Sequence, residues 1–188
     1  VVDEVLNSEK CKFTYGDIEK VLKMLLQERV SIRNIVVILE TLANFGPITH
    51  NAWDLAEKVR EALGLQICKQ YADEDNTLRV MSLSQDLSQL LLDHTAKGGG
   101  TEPFVALDPV DLRIWERAIH GGYNAIRSKG WLPIVMCSSM VRRLVWNMTN
   151  REMPDIIVIS DREIIAAGRS IKVEVLGEIA EDKAGVTI

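Results

Sequence analysis

Residues 16–43 read GDIEKVLKMLLQERVSIRNIVVILETLA, and this stretch decides how the rest of the chain can fold. Ile18, Val21, Leu22, Leu25 and Leu26 recur at i, i+3, i+4, i+7 and i+8, which is one stripe of an amphipathic helix. The stripe stops at Gln27-Glu28-Arg29-Val30, and a second one follows in Ile32, Ile35, Val36, Leu39 and Leu42. Ser31 is a good cap for that second helix, because its hydroxyl can accept from an orphan backbone N–H. The pattern predicts two helices joined by a short polar turn, with Leu22, Leu25, Ile35 and Leu39 buried where their stripes meet.

Thr14 and Asp17 form a capping-box-like pair at the start of the first helix. Gly46-Pro47 ends the second, with Gly46 expected in the left-handed cap position. Asn51 caps a third helix over residues 52 to about 71, striped by Leu55, Val59, Leu63 and Ile67. These helices make a mainly helical subdomain, 1–76. It ends in the acidic run Ala72, Asp73, Glu74, Asp75 and Asn76, a boundary and an expected hinge. The two subdomains are expected to bury separate stripes.

Beyond the boundary the periodicity changes. Residues 78–83 alternate like a strand, and 85–95 form a helix with Leu87, Leu90 and Leu91 on one face. Residues 97–102 are a glycine-rich loop. Asp108-Pro109 opens a helix carrying Val110, Ile114 and Ala118, interrupted at Gly121-Gly122. Residues 132–137 suit a strand buried on both faces. Ser138-Ser139 caps a helix over 140–150, and strands follow at 156–159 and 171–179. Residues 131–159 are thus a βαβ unit with parallel strands and a right-handed crossover. The fold class is α+β, or mixed: a three-helix subdomain, then a small α/β subdomain (77–188) with a mixed, partly parallel sheet and a frayed C-terminal tail.

With 188 residues, 47% of them hydrophobic and 26% charged, the chain suits one large or two small domains. A net charge of −5 argues against nucleic acid and anionic membrane surfaces as partners. Cys11, Cys68 and Cys137 are far apart and lack zinc spacing, as reduced thiols would be. No apolar run approaches the ~20 residues that span a bilayer. Val1-Val2-Asp3-Glu4-Val5-Leu6 reads as the interior of a longer protein.

The sharpest catalytic pattern is Cys137 followed by Arg143, the spacing of a cysteine phosphatase loop. Met136 stands where such enzymes place His, Leu144 where they place Ser or Thr, and no Gly lies between. Cys137 is therefore expected to be a core thiol, with Arg142 and Arg143 on a solvated helix face. Gly98-Gly99-Gly100 lacks the Lys-Ser/Thr of a phosphate-binding loop. His50, His94 and His120 lack ligand spacing. Residues 32–63 have a helix-turn-helix outline, yet Asp54, Glu57, Lys58, Arg60 and Glu61 make a balanced face, not a basic one. Among Trp53, Trp115, Trp131 and Trp146, Trp53 is either a partner anchor or packs under residues 46–51. No catalytic, cofactor-binding or metal-ligating residue is assigned.

The segment from Val21-Leu22 through Glu28-Arg29-Val30-Ser31-Ile32-Arg33-Asn34 to Ile38-Leu39-Glu40-Thr41-Leu42-Ala43 resembles the export-gate family of type III secretion. The resemblance continues in VREALGLQIC (59–68), in Gly98-Gly99-Gly100-Thr101-Glu102-Pro103 and in DIIVISDREI (155–164). It implies the C-terminal part of the cytoplasmic domain of a bacterial inner-membrane protein. It favours the flagellar branch over the virulence injectisome. It also implies a docking and assembly platform without enzymatic activity or cofactor. Its partners would be export chaperones with their substrates, other export-apparatus proteins and ring neighbours in a nonamer. Membrane contact would run only through an absent N-terminal part. The family's docking groove lies upstream, so no docking residue is carried over. A cysteine-dependent phosphatase (Cys137 and Arg143) and a helix-turn-helix regulator are the readings from other classes.

Overall fold

Thr14 accepts from the Asp17 amide while the Asp17 carboxylate receives the Thr14 amide and hydroxyl, so the capping box closes. From it runs α1, Tyr15–Gln27, which buries Ile18, Val21, Met24 and Leu25. The structure, a computed structural model, describes residues 13–96 and 102–181; the expectations for the N-terminal segment, the glycine run and the C-terminal tail lie outside them. Helix α2, Ile35–Phe45, starts later than a Ser31 cap requires. The Ser31 hydroxyl instead accepts the Arg33 amide, and Asn34 precedes the helix without a side-chain cap. Asn51 caps α3, Ala52–Ala62, through the Trp53 amide.

The long third helix of the sequence reading breaks at Leu63 and resumes as α4, Gly64–Tyr71. A Cβ on Gly64 would lie 2.4 Å from the Glu163 carbonyl oxygen, so only glycine allows this approach. Helices α1 and α2 each pack on α3 more than on each other. Leu25 and Leu39 are accordingly buried, whereas Ile35 is 39% exposed. Gly46 is right-handed, with φ −57°, not the expected left-handed cap. Its lack of a side chain makes room for the Phe13 ring.

The sheet begins with β1, Thr77–Leu83, followed by α5, Gln85–Asp93, and the short strands β2, Thr95–Ala96, and β3, Phe104–Val105. Then come α6, Pro109–Ser128; β4, Ile134–Cys137; α7, Arg142–Thr149; β5, Ile157–Ser160; α8, Asp161–Ala167; and β6, Lys172–Ile179. The main sheet has the order β5-β4-β1-β6 and is parallel throughout, while β2 and β3 pair separately and antiparallel. The expected β4–α7–β5 unit is present, with Ile134 beside Ile157. Helix α6 runs unbroken through Gly121-Gly122; the Ile179 side chain fills the space a Cβ on Gly122 would need. Helix α7 starts at Arg142 rather than Met140, without a serine side-chain cap. Helix α8 was not read from the sequence, although Ser160 and Glu163 form a capping box at its start.

A parallel sheet is buried on both faces. Leu78, Val80, Ile134 and Ile159 point into one apolar cluster together with α1–α4. Met81, Leu83, Val135 and Val158 point into the other, with α5, α6 and α7. The helical region and the sheet therefore share a core, contrary to the expectation of separate stripes. α8 is too short to cover a sheet face alone, and α4 lies beside it.

Charge also crosses the same boundary. The Glu28 carboxylate accepts from Arg142 Nη1 at 2.5 Å, Arg143 Nη1 at 2.5 Å and Arg60 Nη1 at 3.1 Å. Arg142 also binds both oxygens of Glu57. Arg60 Nη2 lies 2.7 Å from Glu163 Oε1, off-axis for a hydrogen bond, and donates to the Val158 carbonyl at 3.2 Å. Arg143 Nε donates to Glu102 at 2.9 Å. Arg142 is 0% and Arg143 8% exposed, which overturns the solvated helix face. The reason is that every buried guanidinium here meets a carboxylate from another element, a pairing invisible to periodicity. Burial pushes the Glu28 carboxyl up, but the charges of Arg142 and Arg60 outweigh it and hold it at about 2. Arg142 stays charged because Glu28 and Glu57 more than offset its burial.

Two outcomes follow for stability. Leu39→Ala is expected to cost ~2–5 kcal/mol, and Ile35→Ala less than about 1 kcal/mol. Urea denaturation giving equal losses would contradict this packing. Because the folded Glu28 value lies below its ordinary 4.5, its contribution is complete above about pH 4.5 and is lost as pH falls toward 2. Glu28→Gln, which leaves buried guanidiniums short of a charge, is expected to cost ~3–5 kcal/mol at pH 7. The difference from the parent chain should shrink across that acid window; a pH-independent difference would contradict it.

Candidate functional site

A cleft of about 730 Å³ opens between the turn after α1, the end of α4, residues 102–104 and the segment from α7 to β5. Glu28, Arg60 and Arg143 of the charge network line it. Tyr71, Phe104 and Trp146 supply aromatic surface, and Arg29 and Arg151 supply further cations.

Arg29 has φ +59°, an uncommon left-handed conformation for a residue with a side chain. Its amide donates to the Leu26 carbonyl, its own carbonyl accepts from Gln70 at 3.2 Å, and its guanidinium donates to the Pro154 carbonyl at 3.3 Å. These bonds fix the turn that carries Glu28 inward and Arg29 outward. The Arg143 guanidinium lies 5.0 Å from the Trp53 ring and 4.4 Å from the Trp146 ring. Trp53 is half-buried against the first core and faces this cation. Asn147 donates to Glu102 at 2.8 Å, and Asn150 caps the last carbonyls of α7.

The remaining sequence candidates are not gathered at the cleft. Cys137 is buried, which pushes its thiol up to about 12, and Arg143 is engaged by Glu28 and Glu102. A thiolate beside a free guanidinium, the requirement of a phosphatase loop, is not formed. The Cys68 thiol is also held at about 12, first by burial and then by Glu163. Among the described residues no group of three or more His, Cys, Asp or Glu could hold a metal ion. Glu57 and Arg60 of α3 belong to the buried network, so this helix does not present the face a DNA groove would need. Asp73 Oδ1 accepts the amides of Asp75 and Thr77, and Asp73 Oδ2 pairs with Arg79 at 2.6 Å. Asn76 takes φ +57°, so Ala72, Asp73, Glu74, Asp75 and Asn76 form a bonded turn. The cleft and its network escaped the sequence reading because its members lie on five separate segments. The available signal was Glu28 and Arg29 between two apolar stripes.

A model of the FHIPEP family matches residues 1–168. The flagellar biosynthesis protein FlhA of Treponema pallidum is 35% identical over 99% of this chain and 26% of its own length. The chain thus spans about a quarter of that relative. The C-terminal domain of InvA superposes with a TM-score of 0.81 at 28% identity, over 95% of this chain and 52% of that one. The nonameric EscV cytosolic domain of a type III secretion system gives a TM-score of 0.67 at 25% identity, over 87% and 47%. No helix among the described residues is long and apolar enough to cross a membrane. The family match over most of the chain, with the FlhA relative and the shared fold, establishes that the chain belongs to the FHIPEP family of type III export-gate proteins.

Proposed function

We propose that this chain is part of the cytosolic portion of a flagellar type III export gate, serving as a docking and assembly surface. It would work with export chaperones and their substrates, other export-apparatus proteins and neighbouring copies in a ring. The observation that carries this reading is the 35% identity to a flagellar biosynthesis protein over 99% of the chain. The ring is supported by the nonameric state of the EscV neighbour. The buried thiols and the ion-paired interior of the charge network suit a binding surface better than a reactive centre. In the full-length protein, deletion of residues 77–181 is expected to abolish export of filament subunits. Unchanged filament export would overturn the flagellar reading.

We also propose that residues 72–76 act as a hinge only when the Glu28 network opens. Rotation there would separate Glu28 from Arg142 and Arg60 from Glu163. Spin labels at Asn44 and Arg169, both exposed, are expected to give one narrow distance distribution that broadens as pH falls below about 4. A broad distribution already present at pH 7 would overturn this coupling.

A further inference from the structure

The chain is acidic, with a net charge of −5, yet the mouth of the cleft is not. Arg60 and Arg143 are neutralised by carboxylates inside the network. Among the described residues the Arg29 guanidinium donates only to the Pro154 carbonyl. Arg151 is exposed and has no hydrogen-bond or ion-pair partner among the described residues. Two guanidiniums at one cleft are therefore without a paired carboxylate among the described residues, in a molecule with carboxylates to spare. Phe104 lines the same cleft, 55% exposed although it is a large apolar ring. Arg beside aromatic side chains is the composition of binding hot spots. The donor groups of Asn147 and Asn150 are used internally, and among the described residues nothing donates to their amide oxygens, which can accept backbone N–H groups. The volume exceeds what a small inorganic anion needs and matches a few side chains' worth of ligand, the drug-sized range. Glu28 and Glu102, also in the lining, disfavour the densely charged backbone of a nucleic acid.

We infer that this cleft docks an extended acidic segment of a partner protein, with carboxylates on Arg29 and Arg151 and an apolar side chain against Phe104. The strained backbone of Arg29 holds one of the two cations in place before the partner arrives, which lowers the ordering cost of binding. The inference rests on the docking-surface reading only for its premise that a protein partner exists.

The test uses a fluorescein-labelled peptide with a central phenylalanine flanked by glutamates, followed by anisotropy on the full chain. Binding is expected to weaken with added salt and to fall at least about tenfold when the glutamates are replaced by glutamines. Arg151→Glu, Arg29→Gly and Phe104→Ala are each expected to weaken it several-fold. Arg29→Gly removes the charge while easing the left-handed backbone, so it preserves the fold. Arg113→Glu, on the exposed part of α6 away from the cleft, is expected to leave binding unchanged. Absence of binding, equal affinity for the glutamine peptide, or an equal loss with Arg113→Glu would overturn the inference. Filament export that survives the Arg151→Glu and Phe104→Ala changes, together with failed peptide binding, would discard the cleft and keep the platform. Failed export after deletion of residues 77–181 bears on the platform alone.

Discussion

A carboxylate placed out of water must be met by charge, and in this molecule Glu28 is met by three guanidiniums. That single constraint fixes where four helices can lie. Arg60 holds α3, Arg142 and Arg143 hold α7, and Glu163 at the start of α8 takes the other side of Arg60. Buried ion pairs of this kind add little stability over a well-packed apolar core of equal volume, but breaking one partner is costly. Their consequence here is geometric. The helical layer cannot slide or rotate on the sheet without leaving a charge unpaired.

The network also explains why the first apolar cluster spans both halves of the chain. A four-stranded parallel sheet presents two apolar faces. Helices α5, α6 and α7 cover one, and the second needs more surface than α8 offers. Helix α4 lies beside α8 through the glycine contact at Gly64, and α3 follows it by way of Arg60. The interior of the charge network forms part of the cleft lining, so its ion-paired carboxylates and the cations at the mouth, which have no carboxylate partner among the described residues, belong to one construction. What is rigid inside is what presents Arg29 outside.

Elements with a local cause were legible in the sequence. The Thr14–Asp17 box, the Asn51 and Asp108-Pro109 caps and the strands at 78–83, 132–137, 156–159 and 171–179 are set by neighbours a few residues apart. The parallel unit through α7 joins Ile134 to Ile157 and was legible because a strand–helix–strand order permits few other arrangements. The run through Glu28 to Asn34 carried the family resemblance for the same reason: it is contiguous. Tertiary structure alone decided what depends on distant partners. Gly64 and Gly122 could not reveal that they face Glu163 and Ile179, nor Gly46 that it makes room for Phe13. Arg142 and Arg143 read as solvated because a charged residue on a helix looks the same whether water or Glu28 neutralises it. The partners lie 114 and 115 positions away, and no periodicity reaches so far. The cleft is the space left when those distant charges meet, so only the folded chain could define it.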